Sequence, residues 1–266
     1  MKRVGILLIL LLVIGIIPCT FASNKPNVKA VSAVLMDDKT GKVLFSKNPL
    51  AIMAPASTTK IMTAVIVLEH LNLDKVVRIS QNAASREGTS MGLAPGEQRT
   101  VKELLYGMML VSGNDAATAL AETVSGSEEK FAQLMTEKAR SIGMQNTQFK
   151  NASGLPVIGH STTAYDMAIL TRYALNVPGF AKIVSTVFKD VHGEGRSQSR
   201  HLKNHNKLLW KYPYATGVKT GYTISAGGCL VSSANRGGRT LISVVLKTPK
   251  IYDDSIDLFE YGFNYR

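Results

Sequence analysis

Acidic residues, cysteine and tryptophan are scarce in this chain of 266 residues. Aspartate and glutamate number 19 against 31 lysines and arginines, and there are two cysteines and one tryptophan. A small scaffold held together by several disulfides is therefore excluded. Apolar residues make up 45% of the chain, so stability must come from a buried core of ordinary size.

The chain also lacks an apolar run of the ~18 or more residues that a membrane-spanning helix needs. The run from Val4 to Pro18 follows Met1-Lys2-Arg3 and precedes small and polar residues that end near Ala22. This order predicts an export signal over residues 1–22, with retention as an anchor as the alternative. We therefore expect an exported, extracytoplasmic protein, and Cys229 is then the single cysteine left, so no intramolecular disulfide can form.

The formal charge of +12 falls to about +10 without Lys2 and Arg3, which indicates anionic surroundings. Aromatic residues do not alternate with the basic ones, so nucleic acid is not expected as a partner. In an exported protein, wall polymers or membrane head groups fit better. A basic surface that only confers solubility is the alternative.

The order of patterns along the chain predicts an α+β fold. Residues 29–47 form a hairpin pattern, as do 230–234 and 240–246 around Asn235-Arg236-Gly237-Gly238. Helical spacing lies between these strands and again over 253–263. We expect an antiparallel sheet from both chain ends, flanked by helices, and a mostly helical second lobe. The helices are expected after Ser57, over 101–109, after a cap at Asn114 or Asp115, after a cap at Ser127, and from Thr163 towards Asn176.

Ser57-Thr58-Thr59-Lys60 places a hydroxyl and an amine three residues apart at a helix start. Both side chains then lie on one face, where lysine can act as the base for serine. The lysine must be neutral for this role, so the site has to lower its pKa by burial or by a neighbouring cation. Lys219 is the candidate cation.

The same short motifs recur elsewhere, and none alone is specific. Ser127-Glu128-Glu129-Lys130 repeats the Ser-x-x-Lys spacing, but its two glutamates indicate a solvated helix. Lys-Thr-Gly occurs at Lys39 as well as at Lys219. Order and setting discriminate, because Ser57 opens an apolar helix, Ser112-Gly113-Asn114 lies in a break between helices, and Lys219 lies in a late glycine-flanked segment.

Together these three motifs resemble those of the serine penicillin-binding enzymes and β-lactamases. The resemblance narrows to the D-alanyl-D-alanine carboxypeptidases and covers nearly all of residues 29–265. It is carried by Ala54 to Lys60, Asn151 to Leu155 leading to His160-Ser161-Thr162, Asn204 to Leu209, and Gly217 to Thr223.

The resemblance implies a catalytic domain over 29–266 with the β-lactamase and transpeptidase type of fold. It implies a peptidoglycan pentapeptide substrate, covalent inhibition by β-lactam antibiotics, and no metal or organic cofactor. The implied catalytic residues are Ser57, Lys60, Ser112 and Asn114, and the implied substrate-binding residues are Lys219, Thr220, Gly221 and Tyr222.

Two departures from the family pattern stand out. We expect neither the small β-rich domain nor the amphipathic anchoring helix that many relatives carry after this domain. Relatives also often have an arginine after the last strand that helps to hold the substrate carboxylate. Here the segment from Lys247 to Asp254 contains only lysines as basic residues, so carboxylate binding is expected to be weaker or rearranged.

Several other functions remain open. A class A β-lactamase would need a glutamate between the second and third motifs, and none lies between Glu137 and Glu194. A DD-endopeptidase would use the same residues, a transpeptidase ranks behind it, and a catalytically silent wall-binding protein would keep the fold. A metalloenzyme would rest on His201 and His205, or on His192-Gly193-Glu194, without the partners that zinc hydrolases use.

Overall fold

The computed structural model describes residues 25–192 and 198–265, so the predicted signal segment over 1–22 lies outside the described residues. A five-stranded antiparallel sheet has the order β2-β1-β9-β8-β7. Two short strand pairs, β3 with β4 and β5 with β6, lie apart from it. The strands are β1 (Ser32–Asp37), β2 (Val43–Lys47), β3 (Val76–Arg78), β4 (Gln98–Thr100), β5 (Phe188–Val191), β6 (Arg200–Lys203), β7 (Ala215–Thr223), β8 (Gly227–Arg236) and β9 (Arg239–Leu246).

The two ends of the chain meet in this sheet. Strand β1 pairs with β9 from Ser32 opposite Leu246 to Asp37 opposite Leu241. The two predicted hairpins supply four of the five strands, and Gly237 and Gly238 turn between β8 and β9 with positive φ angles. The expected sheet built from both chain ends is confirmed.

The helices occupy the middle of the chain and its end. They are α1 (Lys60–His70), α2 (Gln81–Ala84), α3 (Val101–Leu110), α4 (Asn114–Ser125), α5 (Glu128–Ser141), α6 (Ala164–Leu175), α7 (Phe180–Ser185), α8 (Leu208–Lys211) and α9 (Ile251–Asn264). Ser127 and Thr163 cap α5 and α6 as predicted, each accepting a hydrogen bond from a backbone N–H in the first turn.

The sheet has an apolar core on each face. Along β1 every residue is buried, and alternate side chains point to opposite sides. Ala33 and Leu35 join the cluster that packs under α9, whereas Val34 and Met36 join the larger cluster shared with α1 and α6. Helices α2, α3 and α5 pack on α4, and α1 packs on α3, α4 and α5, which forms the helical lobe.

Gly113, rather than Asn114 or Asp115, is the N-cap residue of α4, so that part of the sequence-based prediction is wrong. The side chains of Asn114 and Asp115 bond to other segments instead, as described below. Strand β7 was predicted only as a glycine-flanked segment, because Gly217 and Gly221 interrupt its apolar pattern. Among the described residues, no helix combines the length and the apolar character needed to cross a membrane.

Candidate active site

Ser57 lies in a 3-10 turn, Ala56–Thr59, that runs directly into α1. The residue before it, Ala56, has a φ of 48°, in the left-handed region that non-glycine residues rarely adopt. Two glycines let neighbouring backbone close on this turn. A Cβ on Gly154 would lie 1.8 Å from the carbonyl oxygen of Ala56, and one on Gly221 would lie 3.0 Å from the Ser57 nitrogen. Glycine is therefore required at position 154 of the 151–155 loop, and position 221 of β7 leaves little room for a side chain.

Lys60 is fully buried on the first turn of α1. Its Nζ lies 3.2 Å from Ser57 Oγ and donates at 2.7 Å to both Asn114 Oδ1 and the Ser153 carbonyl oxygen. The orientation of the Asn114 amide follows from its other bond, in which Nδ2 donates to the Glu87 carbonyl at 2.7 Å. Both acceptors of Lys60 are therefore oxygens that carry no hydrogen.

This set of partners suits a neutral amine. A neutral lysine has two N–H groups and one lone pair, and both N–H groups are taken by Asn114 and Ser153. The lone pair then faces the Ser57 hydroxyl. Burial lowers the pKa of Lys60 well below its usual value, the charge of Lys219 lowers it further, and Asp115 opposes the shift.

The Ser112-Gly113-Asn114 break is tied to the loop before β4. Ser112 has a φ of 63°. Its carbonyl accepts a hydrogen bond from Thr89 Oγ1 at 2.7 Å, and the Asn114 N–H donates to the Thr89 carbonyl at 2.7 Å. The buried carboxylate of Asp115 accepts from the N–H groups of Met91 and Leu93, each at 3.0 Å. Asn114 and Asp115, which the sequence predicts as capping residues, therefore use their side chains for contacts with other segments.

Lys219 lies on β7 and is buried, with 2% of its surface exposed. Its Nζ donates to the Thr220 carbonyl at 3.0 Å, and burial lowers its pKa to about 7. Thr220, Gly221 and Tyr222 follow on the same strand and face the cleft. Lys219 is not among the cleft-lining residues, so it influences the site through its charge rather than by forming the wall.

The cleft has a volume of about 420 Å³. Six of the eight predicted site residues line it, and the other two, Lys60 and Lys219, are buried beside them. The six are Ser57, Ser112, Asn114, Thr220, Gly221 and Tyr222. Other segments add Leu155, His205 and Ile251 to the wall.

His160 lies in one of the segments that carry the family resemblance, and the sequence alone does not assign it a role. The side chain is buried, and its Nε2 lies 2.9 Å from Thr59 Oγ1. The Lys150 N–H donates to Nδ1 at 3.3 Å, so Nδ1 is the unprotonated nitrogen and Nε2–H donates to Thr59. His160 therefore links the 147–163 segment to the turn that carries Ser57. Ser153 was missed in the same way, because it acts through its carbonyl.

The repeated motifs lie away from the cleft. Ser127 caps α5 and Lys130 is exposed, whereas Lys39 belongs to the turn between β1 and β2.

His201 and His205 of the metalloenzyme alternative are four residues apart, but they do not lie on one helix. His201 is on β6, bonded to Asp190 Oδ1 at 2.5 Å, and His205 is in the cleft. Gly193 and Glu194 lie outside the described residues. No cluster of three or more potential metal ligands occurs among residues 25–192 and 198–265.

Comparison with known proteins agrees with this geometry. A family model described as D-alanyl-D-alanine carboxypeptidase matches residues 19–250. The chain belongs to the D-alanyl-D-alanine carboxypeptidase family. Family members named D-alanyl-D-alanine carboxypeptidase include DacF of Bacillus subtilis, 44% identical over 90% of this chain, and DacB2 of Mycobacterium tuberculosis, 34% identical over 90%. The chain spans 66% of the length of DacF and of DacC of Escherichia coli, and 84% of DacB2.

Solved structures of family relatives share the fold. The Streptomyces K15 DD-transpeptidase superimposes with a TM-score of 0.85 at 34% identity, covering 90% of this chain and 98% of that one. DacD of Francisella tularensis gives a TM-score of 0.84 at 34% identity, covering 89% and 71%. The expected penicillin-binding and transpeptidase type of fold is confirmed.

Proposed function

We propose that this protein is a serine D-alanyl-D-alanine carboxypeptidase that removes the terminal D-alanine from peptidoglycan stem peptides. The observation that carries the proposal is the buried Lys60 amine, whose two N–H groups are held by Asn114 and Ser153 while its lone pair faces Ser57. A buried amine with a lowered pKa is the base that a serine nucleophile requires. Family membership supports the choice of substrate.

In the proposed acylation step, Lys60 Nζ takes the proton of Ser57 Oγ as the oxygen attacks the carbonyl between the two D-alanines. The oxygen–carbon bond that forms gives a tetrahedral oxyanion. The backbone N–H groups of Ser57 and Tyr222 are proposed to stabilise it, and the close approach of Gly221 to the Ser57 nitrogen supports this placement. Losing one such donor typically costs ~3 to 4 kcal/mol of barrier.

Collapse of the tetrahedral state breaks the peptide bond. Ser112 is proposed to relay the proton from Lys60 to the leaving amine, and Asn114 to keep Lys60 in place. Thr220 is proposed to bind the terminal carboxylate by contact, with Lys219 adding favourable charge. Water then cleaves the ester on Ser57, so the cycle needs no metal or organic cofactor.

The same serine should react with β-lactam antibiotics, because their strained amide presents a carbonyl to the same nucleophile. We further propose that the protein acts outside the cytoplasmic membrane, where its substrate lies. Its formal charge of +12, or about +10 without Lys2 and Arg3, favours association with anionic wall polymers or membrane head groups.

The test is release of D-alanine from diacetyl-lysyl-D-alanyl-D-alanine by protein lacking residues 1–24, alongside Ser57→Ala. We expect release that vanishes in the variant, and labelling by a fluorescent penicillin that vanishes with it. Ser127→Ala is the matched control, because this serine has the same spacing to a lysine but caps a helix.

Two other results would change the assignment. Penicillin labelling of Ser57 without D-alanine release would indicate a DD-endopeptidase that needs cross-linked peptide. If well-folded protein shows no labelling and no release, the enzymatic proposal is contradicted. That result would indicate a silent wall-binding protein.

A further inference from the structure

The wall of the active-site cleft contains very little positive charge. Among the described residues that line it, only His205 has a basic side chain. The other lining side chains are neutral, and the two lysines of the site, Lys60 and Lys219, are buried. A substrate carboxylate that enters the cleft therefore meets one basic group directly.

The segment where many relatives place an arginine does not supply this group. Between Lys247 and Asp254, only Ile251 reaches the cleft wall. Lys247 directly follows β9, is exposed to solvent and packs along Gly227. If a carboxylate is to be held by direct contact, another element must supply the positive charge that this side of the cleft wall lacks.

The backbone holds His205 firmly at the cleft. Its N–H donates to the Leu110 carbonyl at 2.8 Å, next to the Ser112 break, and its carbonyl accepts from the Tyr252 hydroxyl at 3.3 Å. The flanking Asn204 and Asn206 are buried, so the turn cannot rotate freely. No described residue forms a hydrogen bond with the imidazole ring, which leaves the ring free to bind a substrate.

The ring also lies within the field of Lys219. Partial burial and the Lys219 charge both lower the pKa of His205. A carboxylate placed between the two groups would oppose both effects, since an anion stabilises each cation. Whether neutral or protonated, the imidazole offers an N–H donor.

We propose that His205 is a specificity-determining residue whose ring donates a hydrogen bond to the C-terminal carboxylate of the substrate, opposite the Thr220 hydroxyl. This inference rests on the proposed function, because it assigns the residue that selects the leaving group of that reaction. His205 thus makes the contact with the carboxylate that no basic residue of the 247–254 segment makes.

The experiment compares two thioesters that differ only in the leaving group. Acetyl-D-alanyl-thioglycolate carries a carboxylate, and its methyl ester is neutral. Thiol release is followed for the wild type, His205→Ala, His205→Gln and the matched control His201→Ala, which removes an exposed histidine four residues away on β6. Thermal unfolding confirms that each variant is folded.

We expect the wild type to prefer the carboxylate thioester. His205→Ala should lose roughly 10- to 100-fold in kcat/KM on that substrate, as expected for a hydrogen bond to a charged group. Its kcat/KM on the neutral thioester should fall much less, because that substrate has no carboxylate for the ring to contact. His205→Gln should retain part of the preference because it keeps an N–H donor, and His201→Ala should retain all of it.

The inference is overturned if His205→Ala keeps the wild-type preference, or if the wild type has no preference to lose. Both results leave serine-dependent hydrolysis intact, so the proposed function survives them. By contrast, absence of Ser57-dependent hydrolysis of either thioester would contradict the proposed function itself.

Discussion

Replacing His160 by glutamine should remove a large part of the acid sensitivity of this protein. The buried ring accepts a hydrogen bond from the Lys150 N–H and donates one to Thr59, so only the neutral form satisfies both partners. Burial, with a smaller effect of the Lys150 charge, lowers the pKa of His160 from 6.5 to about 4. Protonation would place two N–H groups against each other at Nδ1.

The magnitude follows from the difference between the two pKa values. The unfolded chain binds a proton at this histidine as the pH falls through about 6.5, whereas the folded protein binds it only near 4. The stabilisation is therefore fully present above pH 6.5 and is lost as the pH falls from 6.5 to 4. The total is about 3 kcal/mol, of which about 2 kcal/mol is lost between pH 7 and pH 4.5.

The assay is urea unfolding of the wild type and His160→Gln at pH 7 and pH 4.5. Glutamine can donate to Thr59 and accept from Lys150, but it does not titrate. With an m value of ~2 to 3 kcal/mol per M, the wild-type midpoint should fall by about 1 M more than that of the variant. His70→Gln, at the exposed end of α1, controls for loss of a histidine as such. If His160→Gln loses as much stability as the wild type on acidification, the assignment of a neutral, doubly bonded ring is wrong.

Three further outcomes are expected. Lys219→Met removes a cation that lowers the pKa of Lys60, so the acid limb of penicillin acylation against pH should move to higher pH; an unmoved limb would contradict the coupling. Gly154→Ala should lower the free energy of unfolding by about 2 to 3 kcal/mol, because its Cβ would lie 1.8 Å from a carbonyl oxygen. The measurements are a lower thermal midpoint and slower penicillin labelling. The control Gly126→Ala has a similar φ but no atom within 4 Å of its Cβ, so it should lower the free energy of unfolding by only about 1 kcal/mol. Equal losses of stability in the two variants would contradict the close-packing argument. Cys229 is buried with its pKa raised to about 11, so iodoacetamide should modify it only in urea, as mass spectrometry of its peptide would show.

Local signals in the sequence were sufficient to predict most of the fold. Both sheet hairpins have turn residues between alternating apolar runs, and α5 and α6 begin at Ser127 and Thr163, which cap them. The short pairs β3–β4 and β5–β6 have three or four residues per strand, too few for a periodic pattern to be recognised. Strand β7 is not predicted because its glycines serve tertiary packing, Gly221 against the serine turn and Gly217 against Val184.

The capping error at α4 has the same origin. Asn114 and Asp115 are both good capping residues on local grounds. Their side chains instead bond to Lys60, to the Glu87 carbonyl and to the N–H groups of the loop before β4. A rule based on neighbouring residues cannot predict that the side chain will form hydrogen bonds with a distant segment instead of capping its own helix.

Burial separates the Ser-x-x-Lys pair of the cleft from its repeat on α5. Both pairs have the same spacing, yet Lys60 is fully buried whereas Lys130 is exposed. The pair on α5 therefore lacks the buried setting in which Lys60 faces Ser57. Burial alone would also be insufficient, because an unpartnered amine in the core is costly. The loop carbonyl of Ser153 and the amide of Asn114 meet this cost while leaving the lone pair for Ser57. The three motifs therefore depend on one another: the second and third motifs, together with the 151–155 loop, create the setting in which the first can react.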